Sequence, residues 1–146
     1  MQKVKSWAST WADDEKKREE IRKSMRATAA LREDGLPTVT PPLGYASVKD
    51  AKLGRKVWRP DRHAATVLAA FEAVARGERL ADVMRRHDLT YYELDRMLRN
   101  RAYTGGFVWR GEFRRCAPEV VPPLVSDELF ERAQAGRRAS SKSNTS

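Results

Sequence analysis

The sequence predicts a mainly α fold with a small β component. A long N-terminal helix precedes a compact helical domain that holds a helix-turn-helix-like unit and a short hairpin. Three observations predict this. A highly charged run from Trp11 to Glu33 is closed by Gly35 and Pro37. Several shorter segments carry apolar residues at helical spacing. Gly105-Gly106 then leads into the aromatic stretch FVWRGEFRR.

Each element has its own local reason. Ser9 or Thr10 caps the long helix, and Asp13, Asp14 and Glu15 lie in its first turn, where the helix dipole favours carboxylates. Its middle, DEKKREEIRK, is nearly all charged, and only Ile21, Met25 and Ala29 form an apolar stripe. So thin a stripe suits a helix that projects or pairs with another helix, not one seated in a core. Gly35 takes the left-handed conformation that ends it.

The segment from Leu36 to Trp58 is rich in Pro, Gly and Thr, and reads as a loop ending in a strand near Lys56 to Trp58. A helix starts at Pro60-Asp61 and runs to Arg76, with Val67, Leu68, Phe71 and Val74 on one face and Gly77 as terminator. Two short helices follow. Leu80, Val83, Met84 and His87 share a face of the first; Leu94, Met97 and Leu98 share a face of the second. The short turn His87-Asp88-Leu89-Thr90 joins them, with Thr90 as N-cap, in the layout of a helix-turn-helix. A hairpin turns at Arg110-Gly111. After a Pro-rich connection, Ser126 caps a last helix with Leu129, Phe130 and Ala133 facing inward. The expected boundaries are 1–35 for the long helix, 36–136 for the domain and 137–146 for a disordered tail.

Composition narrows the function. The chain has 146 residues, 40% of them hydrophobic and 34% charged, with a formal net charge of +9. Its pI is near 10.0. A basic, arginine-rich domain carries the electrostatic footprint of a nucleic-acid binder. Cys116 is the one cysteine, which excludes an internal disulfide and a four-cysteine zinc site. Arg114 and Arg115 beside it would lower its pKa, but no base partners it. His63 and His87 lie on different helices without companions at metal spacing, and no phosphate-binding glycine loop or nucleophile elbow occurs. No catalytic residue, metal or other cofactor is expected. The N-terminus lacks the apolar core of a signal peptide and no run is long enough to span a bilayer, so a cytoplasmic location is expected, with no membrane partner.

The binding signal is stronger than any catalytic one. With Leu94, Met97 and Leu98 inward, Tyr92, Arg96 and Arg99 form the opposite stripe. Side chains so placed on the second helix of such a motif enter a major groove. Arginine reads guanine or clamps phosphate, and tyrosine contacts phosphate or a thymine methyl. Arg110, Arg114 and Arg115 lie beside the same helix end, and Lys52, Arg55 and Lys56 upstream add to the charge.

Four segments in order resemble the DNA-binding "recombinase" domain of large serine recombinases, the phage-type serine integrases. Pro41-Pro42-Leu43-Gly44-Tyr45 is similar to the family's Pro-x-Gly-Tyr segment. The stretch from Trp58 to Gly77 resembles its helix that starts after Pro-Asp and ends in glycine. Arg96 to Gly105 resembles its Leu-x-Asn-Pro-x-Tyr-x-Gly motif, with Arg101 where the family has proline. Pro122 to Phe130 resembles its Pro-x-Val-Ser-x-Glu-x-Phe/Trp segment. The resemblance runs from about Glu19 to Gln134.

The resemblance implies a DNA-binding module that recognises part of an attachment half-site of double-stranded DNA. It implies a linker role for the long helix, and minor-groove proximity for the residues after Gly35, Thr38 among them. It implies major-groove and backbone contacts for the region from Tyr92 to Arg115, Arg101 included. The catalytic serine domain that would precede the helix and the zinc ribbon that would follow are not expected in this chain. A nucleoid-associated, bacterial or phage-encoded protein fits. The alternative is a free-standing DNA-binding regulator or accessory protein built on the same domain. In either case the N-terminal helix is a candidate for self-association or for contact with a full-length recombinase.

Overall fold

The computed structural model describes the backbone of residues 2–144 and the side chains of residues 14–140. Its elements are α1 (Gln2–Glu33), β1 (Tyr45–Asp50), β2 (Arg55–Pro60), α2 (Ala64–Ala75), α3 (Leu80–His87), α4 (Tyr91–Arg99), β3 (Gly106–Trp109), β4 (Glu112–Arg115) and α5 (Asp127–Asn144). A 3-10 turn, Arg101–Thr104, links α4 to β3. The fold is mainly α with a small β component, as predicted. The chain divides into two units, with the break between Asp34 and Gly35.

The first unit is α1. It spans 32 residues, about 48 Å at 1.5 Å per residue, and starts well before Trp11. No glycine or proline stands between Gln2 and Trp11 to stop it, so the helix runs through Ser9 and Thr10. Ser9 and Thr10 therefore do not cap it, and Asp13, Asp14 and Glu15 stand well inside it instead of in its first turn. Ile21 and Met25 are exposed.

In the second unit the core is built by α2, α3, α4, the 3-10 turn and α5. Val67, Phe71, Val74, Leu80, Val83, Leu94, Leu98, Tyr103, Phe107 and Phe130 belong to one cluster. The inward faces expected of α3 and α4 are borne out for Leu80, Val83, Leu94, Met97 and Leu98. Met84 packs against the cluster from its margin. His87 is half-buried, and its Nε2 has no hydrogen-bond partner. Leu68 is a correction: it is exposed, and Ala70 and Ala73 take the inward places on α2. α2 also starts later than expected. Pro60 ends β2, and Asp61 accepts the His63 N–H at 2.8 Å in a turn before the helix.

Helix α5 corrects a second expectation. It continues through residues 137–144, where a disordered tail was expected. Tertiary contacts hold it there. The Leu80 N–H donates to Ser140 Oγ at 3.3 Å, and Arg137 reaches Asp95 of α4 at 3.9 Å. Gln134, itself buried, donates to the Leu98 carbonyl. Gly136 lets α5 approach α2 closely, because a Cβ there would overlap the Val74 carbonyl.

Two antiparallel hairpins complete the unit. β3 pairs with β4, Trp109 facing Glu112. Arg110 and Gly111 have φ of 51° and 77°, the paired positive angles of a tight two-residue turn, so the expected hairpin at these residues is present. β1 pairs with β2, Tyr45 facing Pro60 and Asp50 facing Arg55. This longer hairpin replaces most of the expected loop. Its base is anchored by the Trp58 N–H on the Val120 carbonyl, 2.8 Å, and by the Tyr45 hydroxyl on the Pro122 carbonyl.

Candidate nucleic-acid interface

Helix α4 positions the candidate site. Thr90 caps it through a reciprocal box: the Glu93 N–H donates to Thr90 Oγ1 at 3.1 Å, and the Thr90 N–H donates to Glu93 Oε1 at 3.0 Å. The Thr90 N–H foremost, and the Thr90 side chain after it, hold the Glu93 carboxyl below its ordinary pKa. With Leu94, Met97 and Leu98 buried, Tyr92, Arg96 and Arg99 are left on the exposed face. Tyr92 is 69% exposed.

That face is one wall of an open groove of about 1090 Å³. Residues 39–43 also line it, with Trp58, Tyr103 and Val108. Tyr103 fixes that segment, because its hydroxyl donates to the Leu43 carbonyl at 2.6 Å. The groove holds two carboxylates, and both are engaged. Glu93 belongs to the capping box, while Asp95 takes Arg99 at 3.2 Å and Arg137 at 3.9 Å. Arg96 makes no ion pair among the described residues and stands as an uncompensated cation beside Tyr92.

Of the predicted DNA-binding residues, Tyr92, Arg96 and Arg99 are brought together in this groove. The others lie elsewhere. Arg101 pairs with Glu131 at 2.7 Å and lies over the Phe130 ring, 4.6 Å from its centroid. Arg115 holds both Asp127 oxygens, at 3.0 and 3.2 Å, and donates to the Thr104 carbonyl. Both arginines tie their own segments to α5. Arg114 has a buried Nε without a partner and sits 3.9 Å from Glu112. Arg110 stacks on Trp109 at the hairpin turn. Arg55 and Lys56 are exposed on β2, and Thr38 is half-buried in the segment before the groove.

The sequence did not single out Asp95 or Asn100. Asn100 lines the groove and its side chain accepts the Ala102 N–H at 3.0 Å, capping the 3-10 turn. The Asn-x-x-Tyr spacing was the available signal for that cap.

Cys116 departs from the expected lowering of its pKa. Burial raises the thiol to about 11, and the neighbouring arginines are committed elsewhere. The native protein should therefore resist iodoacetamide at pH 8, and full labelling should appear only in denaturant. Rapid native labelling would show an accessible thiolate. Because the folded pKa lies above that of a free thiol, about 8.5, the unfolded chain loses this proton first. The associated stability is present below that pH and is lost as pH rises toward 11.

Among the described residues no group of His, Cys, Asp and Glu is placed to hold a metal ion. No helix there is long and apolar enough to cross a membrane.

The fold and groove define a basic, mainly helical domain with two small hairpins. The chain belongs to the Recombinase family, whose model matches residues 61–140, more than half of its length. This agrees with the recombinase domain of large serine recombinases and gives the chain a role in site-specific recombination. Three of the four resembling segments fall within or largely within that span. The Pro41 to Tyr45 segment and the long helix lie outside it. No curated protein and no solved structure matches the chain significantly.

Proposed function

We propose that this chain is a DNA-binding module of a site-specific serine recombinase. It grips part of an attachment half-site through the groove-facing side of α4 and has no strand-cleaving chemistry of its own. The observation that carries the proposal is Arg96, a cation without a counter-ion beside exposed Tyr92, in a groove whose carboxylates are already engaged. An anionic backbone supplies the missing partner, and guanidinium geometry suits phosphate or guanine. In this reading α3 and α4 act as a helix-turn-helix. Arg101 and Arg115, bound to α5, support the fold and leave recognition to Tyr92, Arg96 and Arg99.

Mobility shifts on duplex DNA over a range of salt test the binding. Log K should fall linearly with log salt, with a slope of about −0.9 for each phosphate neutralised. No binding to any duplex, or binding indifferent to salt, would overturn the proposal. Supercoiled plasmid incubated with the chain should remain supercoiled, and nicked product would refute the absence of cleavage.

A further inference from the structure

The β1–β2 hairpin carries five cations, Lys49, Lys52, Arg55, Lys56 and Arg59, against a single carboxylate, Asp50. That carboxylate is turned to internal use. Its Oδ1 accepts the Lys52 and Leu53 N–H groups at 2.8 and 3.1 Å, and its Oδ2 takes Arg59 at 3.1 Å. These bonds, the one from Leu53 first, hold the Asp50 carboxyl below its ordinary pKa. Lys49, Lys52, Arg55 and Lys56 are all exposed and make no ion pair among the described residues.

Register sharpens the point. Lys49 stands directly opposite Lys56. Like charges facing each other across an antiparallel pair destabilise it. The free protein therefore carries an unfavourable pair that a polyanion would relieve. The same hairpin is anchored at its base by Tyr45 and Trp58, and Trp58 also lines the α4 groove. None of the four unpaired cations lines that groove.

We propose that the β1–β2 hairpin is a second, separate arm for double-stranded DNA, in which Lys49, Lys52, Arg55 and Lys56 grip the sugar-phosphate backbone outside the α4 groove. The inference rests on the duplex-binding function proposed above. It adds a sequence-independent grip, because point charges on phosphates carry no base information.

The test uses the full chain and one duplex series. Lys49→Gln/Lys56→Gln should reduce the salt slope by about 0.9 for each phosphate that the hairpin no longer neutralises, and should weaken all duplex sequences alike. Arg96→Ala serves as the comparison. If Arg96→Ala weakens binding while the double variant leaves slope and affinity unchanged, the hairpin proposal fails and the α4 proposal stands. If the wild-type chain binds no duplex, both fail. A second readout separates binding from folding. Lys49→Glu replaces the like-charge pair with an opposite-charge one, so the Tm without DNA should rise slightly while duplex affinity falls. A fall in both would assign the lysine a structural role and overturn the proposal.

Discussion

Replacing Tyr103 by alanine is expected to cost roughly 3 to 5 kcal/mol, the range for removing a large buried aromatic ring. That is a large part of the roughly 5 to 15 kcal/mol that holds a domain folded. Tyr103 is fully buried and joins four parts of the second unit. Its ring stacks on Tyr45 at 5.9 Å and meets Phe71 edge-on at 5.7 Å. Its hydroxyl holds Leu43, and its carbonyl accepts the Leu124 and Val125 N–H groups at 2.9 and 3.1 Å. Urea unfolding followed by circular dichroism measures the loss, and a change below about 1 kcal/mol, the usual effect of a single point mutation, would deny Tyr103 this role. Tyr103→Phe keeps the ring and removes only the bond to Leu43, so it should cost about 1 kcal/mol. Its effect should concentrate in residues 39–43, read as faster amide exchange there. Burial also pushes the phenol well above its ordinary pKa. The unfolded chain therefore ionises first, and the stability linked to Tyr103 is present below about pH 10 and lost as pH rises above it.

What was legible in the sequence follows from the range of the interactions. The facing of α3 and α4 was legible because period-3.6 burial is written locally in Leu80, Val83, Leu94, Met97 and Leu98. The β3–β4 turn was legible because Arg110-Gly111 carries the glycine that its positive φ favours. β1 was not. Its sequence, YASVKD, alternates weakly, and its exposed positions include a lysine facing another lysine. It is held by Asp50 closing its turn and by contacts from residues near Pro122, more than sixty positions away. The end of α5 misled for the same reason: its serines and arginines look like a solvated tail until Leu80 and Asp95 supply partners. In the candidate site, composition identified the arginines but could not sort them. Arg101 and Arg115 are distinguished from Arg96 by Glu131 and Asp127, which only the fold brings alongside.

Arg96→Ala and Leu98→Ala should separate recognition from stability on a single helix. Arg96 is exposed and without a counter-ion, so its removal should leave stability within about 0.5 kcal/mol, as for ordinary surface positions. If it contacts a base bidentately, duplex affinity should fall by about 1 to 3 kcal/mol, with relaxed preference at one position. Arg99→Ala should have the smaller effect on binding, because Asp95 already competes for that guanidinium at 3.2 Å. Leu98 is fully buried two residues after Arg96, on the opposite side of α4. Leu98→Ala should cost roughly 2 to 5 kcal/mol in stability. At a temperature where the variant remains folded, its duplex affinity should be nearly that of the wild type. Paired measurements of Kd and Tm decide the matter. A stable Leu98→Ala that fails to bind, or an Arg96→Ala that unfolds yet binds normally when folded, would mean that α4 presents the other side to its target. The groove would then be a consequence of packing and not the surface that meets DNA.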